Sequence, residues 1–105
     1  MTLSPQHSTS AGVEHIDAQS VILYLDCPGT QVVMLQALFD IYEGVGVVRT
    51  LDIRNSLVCV LTTPSMLNDC IAVLESIRDK VQWSYAPIPS EDLKERYLGY
   101  GKKGL

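Results

Sequence analysis

The sequence predicts an α+β sandwich: a four-stranded antiparallel sheet with two helices packed on one face. Three observations predict it. Two β-rich runs, Ser20–Asp26 and Leu57–Thr62, are apolar without strict alternation, as expected of central strands covered on both sides. Two stretches of helical apolar spacing separate the β-rich runs. The resulting order, β-α-β-β-α-β, is a twofold repeat of β-α-β, the ferredoxin-like or split-βαβ plan. Right-handed crossovers then place both helices on the same face.

The elements follow in order. Residues 1–19 are rich in Ser, Thr, Gln and His, with neither a basic nor an apolar signal region, and are expected to be a disordered leader. Ser20–Asp26 (SVILYLD) forms the first strand and Cys27-Pro28-Gly29 breaks it. Thr30 is the expected N-cap of a helix reaching about Glu43. In that helix Met34, Leu38 and Ile41 follow one helical line and Leu35, Phe39 and Tyr42 another, so the apolar arc is wider than one sheet face needs. A second burial surface is implied, most simply a copy of the same chain. Gly44 ends the helix. Val47–Ile53 and Leu57–Thr62 flank the turn Arg54-Asn55-Ser56 as a hairpin. Thr63-Pro64 opens a second helix to about Lys80, with Leu67, Cys70, Ile71, Leu74 and Ile77 inward. Val81–Ala86 is the last strand, closing a domain at residues 20–89. Residues 90–105 form a short helix capped by Ser90 and a basic tail.

Length and charge bound the function. A chain of 105 residues holds one core. A net charge of −4 argues against a binder of phosphate backbones. The central strands offer one aromatic, Tyr24, so base stacking is not expected, and no nucleic-acid partner is. Uncharged stretches such as Cys27–Phe39 are too short to span a bilayer, so no membrane insertion is expected. Cys27, Cys59 and Cys70 are odd in number with no CxxC pair. No disulfide framework, metal site or cofactor is expected, and the setting is cytoplasmic. His7 and His15 lie in the leader and have no partner cysteine nearby. No G-x-S-x-G elbow occurs and no histidine falls within the domain, so no catalytic residue is assigned and no enzyme is expected.

Asp26-Cys27-Pro28-Gly29 resembles the D-x-P-G element that ACT domains carry between their first strand and first helix. The apolar helix Val32–Tyr42 and the turn Gly44–Val47 also resemble the ACT pattern. Tyr42–Asp52 is similar to a little-studied bacterial family of small ACT-like domains of unknown function. Together the likenesses span Ser20–Ala86. The chain departs from the ACT pattern at Thr30, where a small apolar residue is usual, and near Val45, where no polar anchor stands. The resemblance implies a non-enzymatic regulatory domain that binds an amino acid or small acid at a dimer interface. Asp26, Cys27, Pro28, Gly29, Thr30, Gly44 and Val45 are the implied ligand residues.

Other readings of these residues stand beside that one. First-turn N–H groups near Thr30 suit a carboxylate and Asp26 an ammonium, yet turn chemistry alone also accounts for the loop. Gly44-Val45-Gly46 follows a helix, so it is a helix end and not a nucleotide fingerprint. Cys27 is either a thiol activated by the helix N-terminus or an ordinary loop thiol. Arg49, Asp52 and Arg54 form a polar patch or a solvated strand face. In the tail, Leu93, Tyr97, Tyr100, Lys102 and Lys103 form either a docking segment for an acidic protein surface or a helix folded back on the sheet. The rival function is accordingly a small accessory subunit. It would bind a larger protein through a sheet edge or this tail.

Overall fold

The structure, a computed structural model, describes residues 12–98. Their elements in chain order are β1 (Val13–Asp17), β2 (Ser20–Asp26), α1 (Gly29–Ile41), β3 (Val47–Asp52), β4 (Leu57–Thr62), α2 (Leu67–Ser76), β5 (Ser84–Tyr85) and α3 (Glu91–Leu98). The sheet runs β1-β2-β4-β3, with β5 also on β2, and every pair is antiparallel. The ferredoxin-like α+β plan therefore holds, with β2, β3, β4 and β5 as its four strands. No helix among the described residues is long and apolar enough to cross a membrane.

The sheet has one strand more than the sequence predicts. Val13–Asp17, expected within a disordered leader, forms β1 and pairs with β2 from Val13↔Leu23 to Asp17↔Ser20. The expected last strand, Val81–Ala86, shortens to the two residues of β5, which pair with Leu25 and Asp26. The two changes have different causes: by the Asp26↔Ser84 register, residues 81–83 would face 27–29, past the end of β2, so the last strand can begin no earlier than Ser84. One edge of β2 is divided between β1 and β5, and Tyr24 joins them: its N–H donates to Gly12 O (2.7 Å) and its carbonyl accepts from Ala86 N (2.9 Å). Gly12 fits that junction at φ +88°, where a Cβ would stand 2.8 Å from the Tyr85 ring.

β2 buries both faces, as its unbroken apolar run requires. Val21, Leu23 and Leu25, with Val58 and Val60 of β4, face Val32, Leu35 and Phe39 of α1 and Cys70, Val73 and Leu74 of α2. Both crossover helices thus lie on one face. The other face carries Ile22, Tyr24 and Cys59, and Ile88 and Leu98 pack against it. The C-terminal segment is therefore a third helix over the second face, at least through Leu98.

Helix boundaries differ from expectation in explicable ways. α1 starts at Gly29 after Pro28, so Thr30 sits inside the first turn and caps nothing. It ends at Ile41 instead of Glu43. Thr63 Oγ1 accepts from Met66 N (3.2 Å) and so closes a separate turn before α2. α2 stops at Ser76 instead of Lys80. There the Trp83 indole Nε1 donates to the Leu74 carbonyl (2.8 Å), filling an acceptor that a longer helix would use itself.

Candidate functional site

A cleft of about 580 Å³ opens where β2 gives way to α1. Its walls come from four parts of the chain: Asp26, Cys27 and Pro28; Ser56 at the end of the β3–β4 hairpin; Arg78 and Val81 after α2; and Gln82, Trp83 and Ser84 leading into β5. The register explains the meeting. Asp26 pairs with Ser84 and Leu57, so the entrance to β5 and the end of the hairpin both abut the β2–α1 loop. Cys27 N donates to Ser56 O (2.8 Å), tying that loop to the hairpin. Ser56 adopts φ +59°, an unusual conformation for a residue with a side chain.

The cleft presents charge of both signs. Asp26 is exposed and makes no side-chain bond among the described residues. Arg78 lies flat on the Trp83 ring, its guanidinium carbon 3.8 Å from the ring centroid. Nη1 donates to Trp83 O (3.1 Å) and Nε to Glu75 Oε1 (2.7 Å). The bond from Arg78 holds the Glu75 carboxyl below its ordinary value, and the bond to Glu75 raises Arg78. Trp83 is buried and meets Tyr85 edge-on at 5.2 Å. Gln31 and Gln82 exchange bonds across the rim: Gln82 N to Gln31 Oε1 (2.6 Å) and Gln31 Nε2 to Gln82 Oε1 (3.2 Å).

The seven ligand residues anticipated from sequence do not all meet. Asp26, Cys27 and Pro28 line the cleft. Gly29 and Thr30 follow at the exposed start of α1, whose first turn carries no acid and no side-chain cap. Gly44 and Val45 lie past the other end of α1, about 20 Å along a helix of this length. Gly44, at φ +86°, borders a separate depression with Gln19, Ser20 and Thr63. Val45 is buried, and its carbonyl accepts from Thr62 Oγ1 (2.7 Å).

Cys27 is not an activated thiol. Burial raises its pKa, and burial pushes Cys59 and Cys70 up to about 11. All three are free and buried. The described residues contain no cluster of three or more His, Cys, Asp or Glu able to hold a metal.

Of the tail residues, Leu93 is half-buried, and Tyr97 donates from its hydroxyl to Asp52 Oδ2 (3.1 Å). Tyr97 is thus engaged within its own chain. Tyr100, Lys102 and Lys103 lie outside the described residues, as does His7.

Sequence reasoning missed Arg78 and Trp83. The signal was in the topology: in the predicted order the first and last strands are antiparallel neighbours. The residues entering the last strand must then stand beside the loop leaving the first.

A family model described as a domain of unknown function (DUF4911) matches residues 28–81, from Pro28 at the cleft through α1, the β3–β4 hairpin and α2 to Val81. Nothing among the curated proteins or the solved structures matches the chain. With just over half of its length inside that model, the chain belongs to the DUF4911 family of domains of unknown function.

Proposed function

We propose that this domain is a non-enzymatic, ACT-like regulatory module of the cytoplasm, acting as a homodimer that binds an amino acid or small carboxylic acid beside Asp26. The observation that carries the reading is the cleft at the strand-to-helix junction, with an unengaged Asp26 carboxylate and the Arg78 guanidinium both on its walls. The Asp26 carboxylate answers to ammonium, and Arg78, already paired with Glu75 at 2.7 and 3.4 Å, answers to a carboxylate by sharing that pair, which suits a small zwitterion. The volume falls within the usual range for small-molecule sites.

The dimer reading rests on α1. Val33, Met34, Ala37 and Ile41 are exposed and fall within about 100° of arc on the helix. They point away from the side buried by Val32, Leu35 and Phe39. The stripe contains no charged residue. A patch with no charge to match suits an isologous contact, in which one surface meets its own copy. Small Ala37 at the middle of the stripe lets two helices cross closely. A ligand that binds one assembly state better shifts the population by its differential affinity.

The test uses Trp83, the chain's one tryptophan, as a reporter. Titration with the common amino acids and with simple mono- and dicarboxylic acids should give a saturable change in emission for at least one. Asp26→Asn should weaken that response for amines. If no member of the panel moves the emission or the backbone amides of residues 26–30, the reading is lost.

A second reading, an accessory subunit acting by protein contact, is favoured by the outer edge of β3, which pairs with no strand among the described residues and where Val47, Arg49 and Thr50 are exposed. Co-purification of a stoichiometric larger partner, lost on Val47→Pro, would select it.

A further inference from the structure

We propose that α3 is a releasable strap, latched by the Lys94–Glu14 ion pair over an apolar face of the sheet that becomes accessible when the latch opens. Beneath the strap lie Ile22, Tyr24 and Cys59, all buried, with Leu98 of α3 packed against them. This face is distinct from the one that holds α1 and α2.

What fastens α3 is mainly polar. Its one buried side chain is a lysine, Lys94; Leu93, Tyr97 and Leu98 are half-buried. Lys94 Nζ donates to Glu14 Oε2 (2.6 Å) and meets Glu91 Oε2 at 3.0 Å. The other Glu14 oxygen accepts from the Tyr24 hydroxyl (2.9 Å). β1, β2 and α3 therefore converge on a single carboxylate. The bond between Tyr97 and Asp52 is a second polar tie, to β3.

The element has the marks of a low-stability unit: eight residues, no fully buried apolar side chain, and a connection without regular structure over residues 86–90. Pro87 and Pro89 stiffen that connection, leaving Ser90 as a pivot; its hydroxyl accepts from Leu93 N (3.3 Å). With Glu14 neutralised, the buried ammonium keeps only the exposed Glu91 carboxylate of its own helix, and an opened α3 returns both to water without breaking that pair. Loss of the latch thus drives opening more than it drives unfolding.

Cys59 lies under the strap and Cys70, on α2 itself, faces the main core; both are fully buried, so the two thiols report the two faces. The experiment is iodoacetamide labelling of the full-length protein, wild type and Glu14→Gln, with each cysteine followed by peptide mass spectrometry. Glutamine keeps an acceptor for Tyr24 and removes the charge. Cys59 should label at least about tenfold faster in the variant, with Cys70 unchanged, because labelling tracks the population of the open form. An unchanged Cys59, or acceleration of both thiols together, overturns the strap. If the variant does not fold, wild-type amide exchange decides: α3 amides should exchange at least about a hundredfold faster than those of α2, and equal rates overturn the proposal.

Discussion

The Trp83 indole donates its N–H to the Leu74 carbonyl at 2.8 Å, and through that bond the segment entering β5 is fastened to the last turn of α2. The same ring carries Arg78 on its face and Tyr85 at its edge. One side chain thus ends a helix, positions a charged wall of the cleft and sets the approach to the edge strand.

Trp83→Phe keeps most of the ring and deletes the donor. A buried polar group that loses its partner costs about 1–3 kcal/mol. The low end is expected, because the Leu74 carbonyl also accepts from Ile77 N at 3.4 Å. Urea denaturation should show a lower midpoint with an unchanged slope. A midpoint equal to wild type would mean that the bond contributes nothing net.

Gly46 stands where α1 hands over to β3, and a Cβ there would lie 2.8 Å from Val60 Cγ1 and 3.2 Å from Leu61 O. Val60 is fully buried in the main core and has no room to retreat. Gly46→Ala should therefore destabilise by about 1–3 kcal/mol, the usual cost of overpacking. Gly44, with nothing within 4 Å of its Cβ, is the instructive contrast: its substitution is strained by φ +86° and not by crowding. Thermal melts of the two alanine variants test both positions.

Much of this architecture was legible in the chain because it rests on local signals. Two-sided apolar runs marked β2 and β4, and the doubled apolar arc of α1 was visible in its spacing. What was not legible depends on partners distant in sequence. Residues 13–17, VEHID, carry no alternating apolar pattern; they become a strand because the β2 edge from Ser20 to Leu23 is open to them. The last strand is short for another reason: in the Asp26↔Ser84 register, residues 81–83 lie past the end of β2. In the cleft, Asp26, Cys27 and Pro28 were found by their turn chemistry. Arg78 and Trp83 join them only through the Asp26↔Ser84 register, a tertiary fact. Gly44 and Val45 were grouped with them by resemblance, and the length of α1 keeps them apart.

The hairpin turn should titrate with acid. Asp52 accepts from the Asn55 side chain (2.8 Å), the Tyr97 hydroxyl (3.1 Å) and the Arg54 amide (3.1 Å). These bonds, that from the Asn55 side chain foremost, hold its pKa below the ordinary aspartate value. Because the folded value is lowered, the stabilising contribution is present above the unfolded value, about 4. It is lost as pH falls through the lower folded value. The Arg54 and Asn55 amide shifts should move together with a midpoint under about 4. Tyr97→Phe should raise that midpoint; no change would show that the α3 tie to Asp52 does not form in solution.

Ile41 offers the most direct test of self-association. It is 72% exposed at the end of the α1 stripe and Val33, equally exposed, stands two turns earlier. Neither belongs to the core, so Ile41→Lys should leave stability within about 0.5 kcal/mol of wild type, as for other surface changes. At a two-fold interface each substitution enters twice, and two lysines facing an apolar surface lose hydration with no carboxylate opposite them. Sedimentation velocity should therefore show a dimer for the wild type and a monomer for the variant at the same concentration. Leu35→Lys is the contrasting case: Leu35 is fully buried on the opposite side of α1, so the charge would unfold the domain instead of parting two folded copies. A wild type that sediments as a monomer at every concentration would leave the stripe as exposed surface and remove the dimer from the regulatory reading.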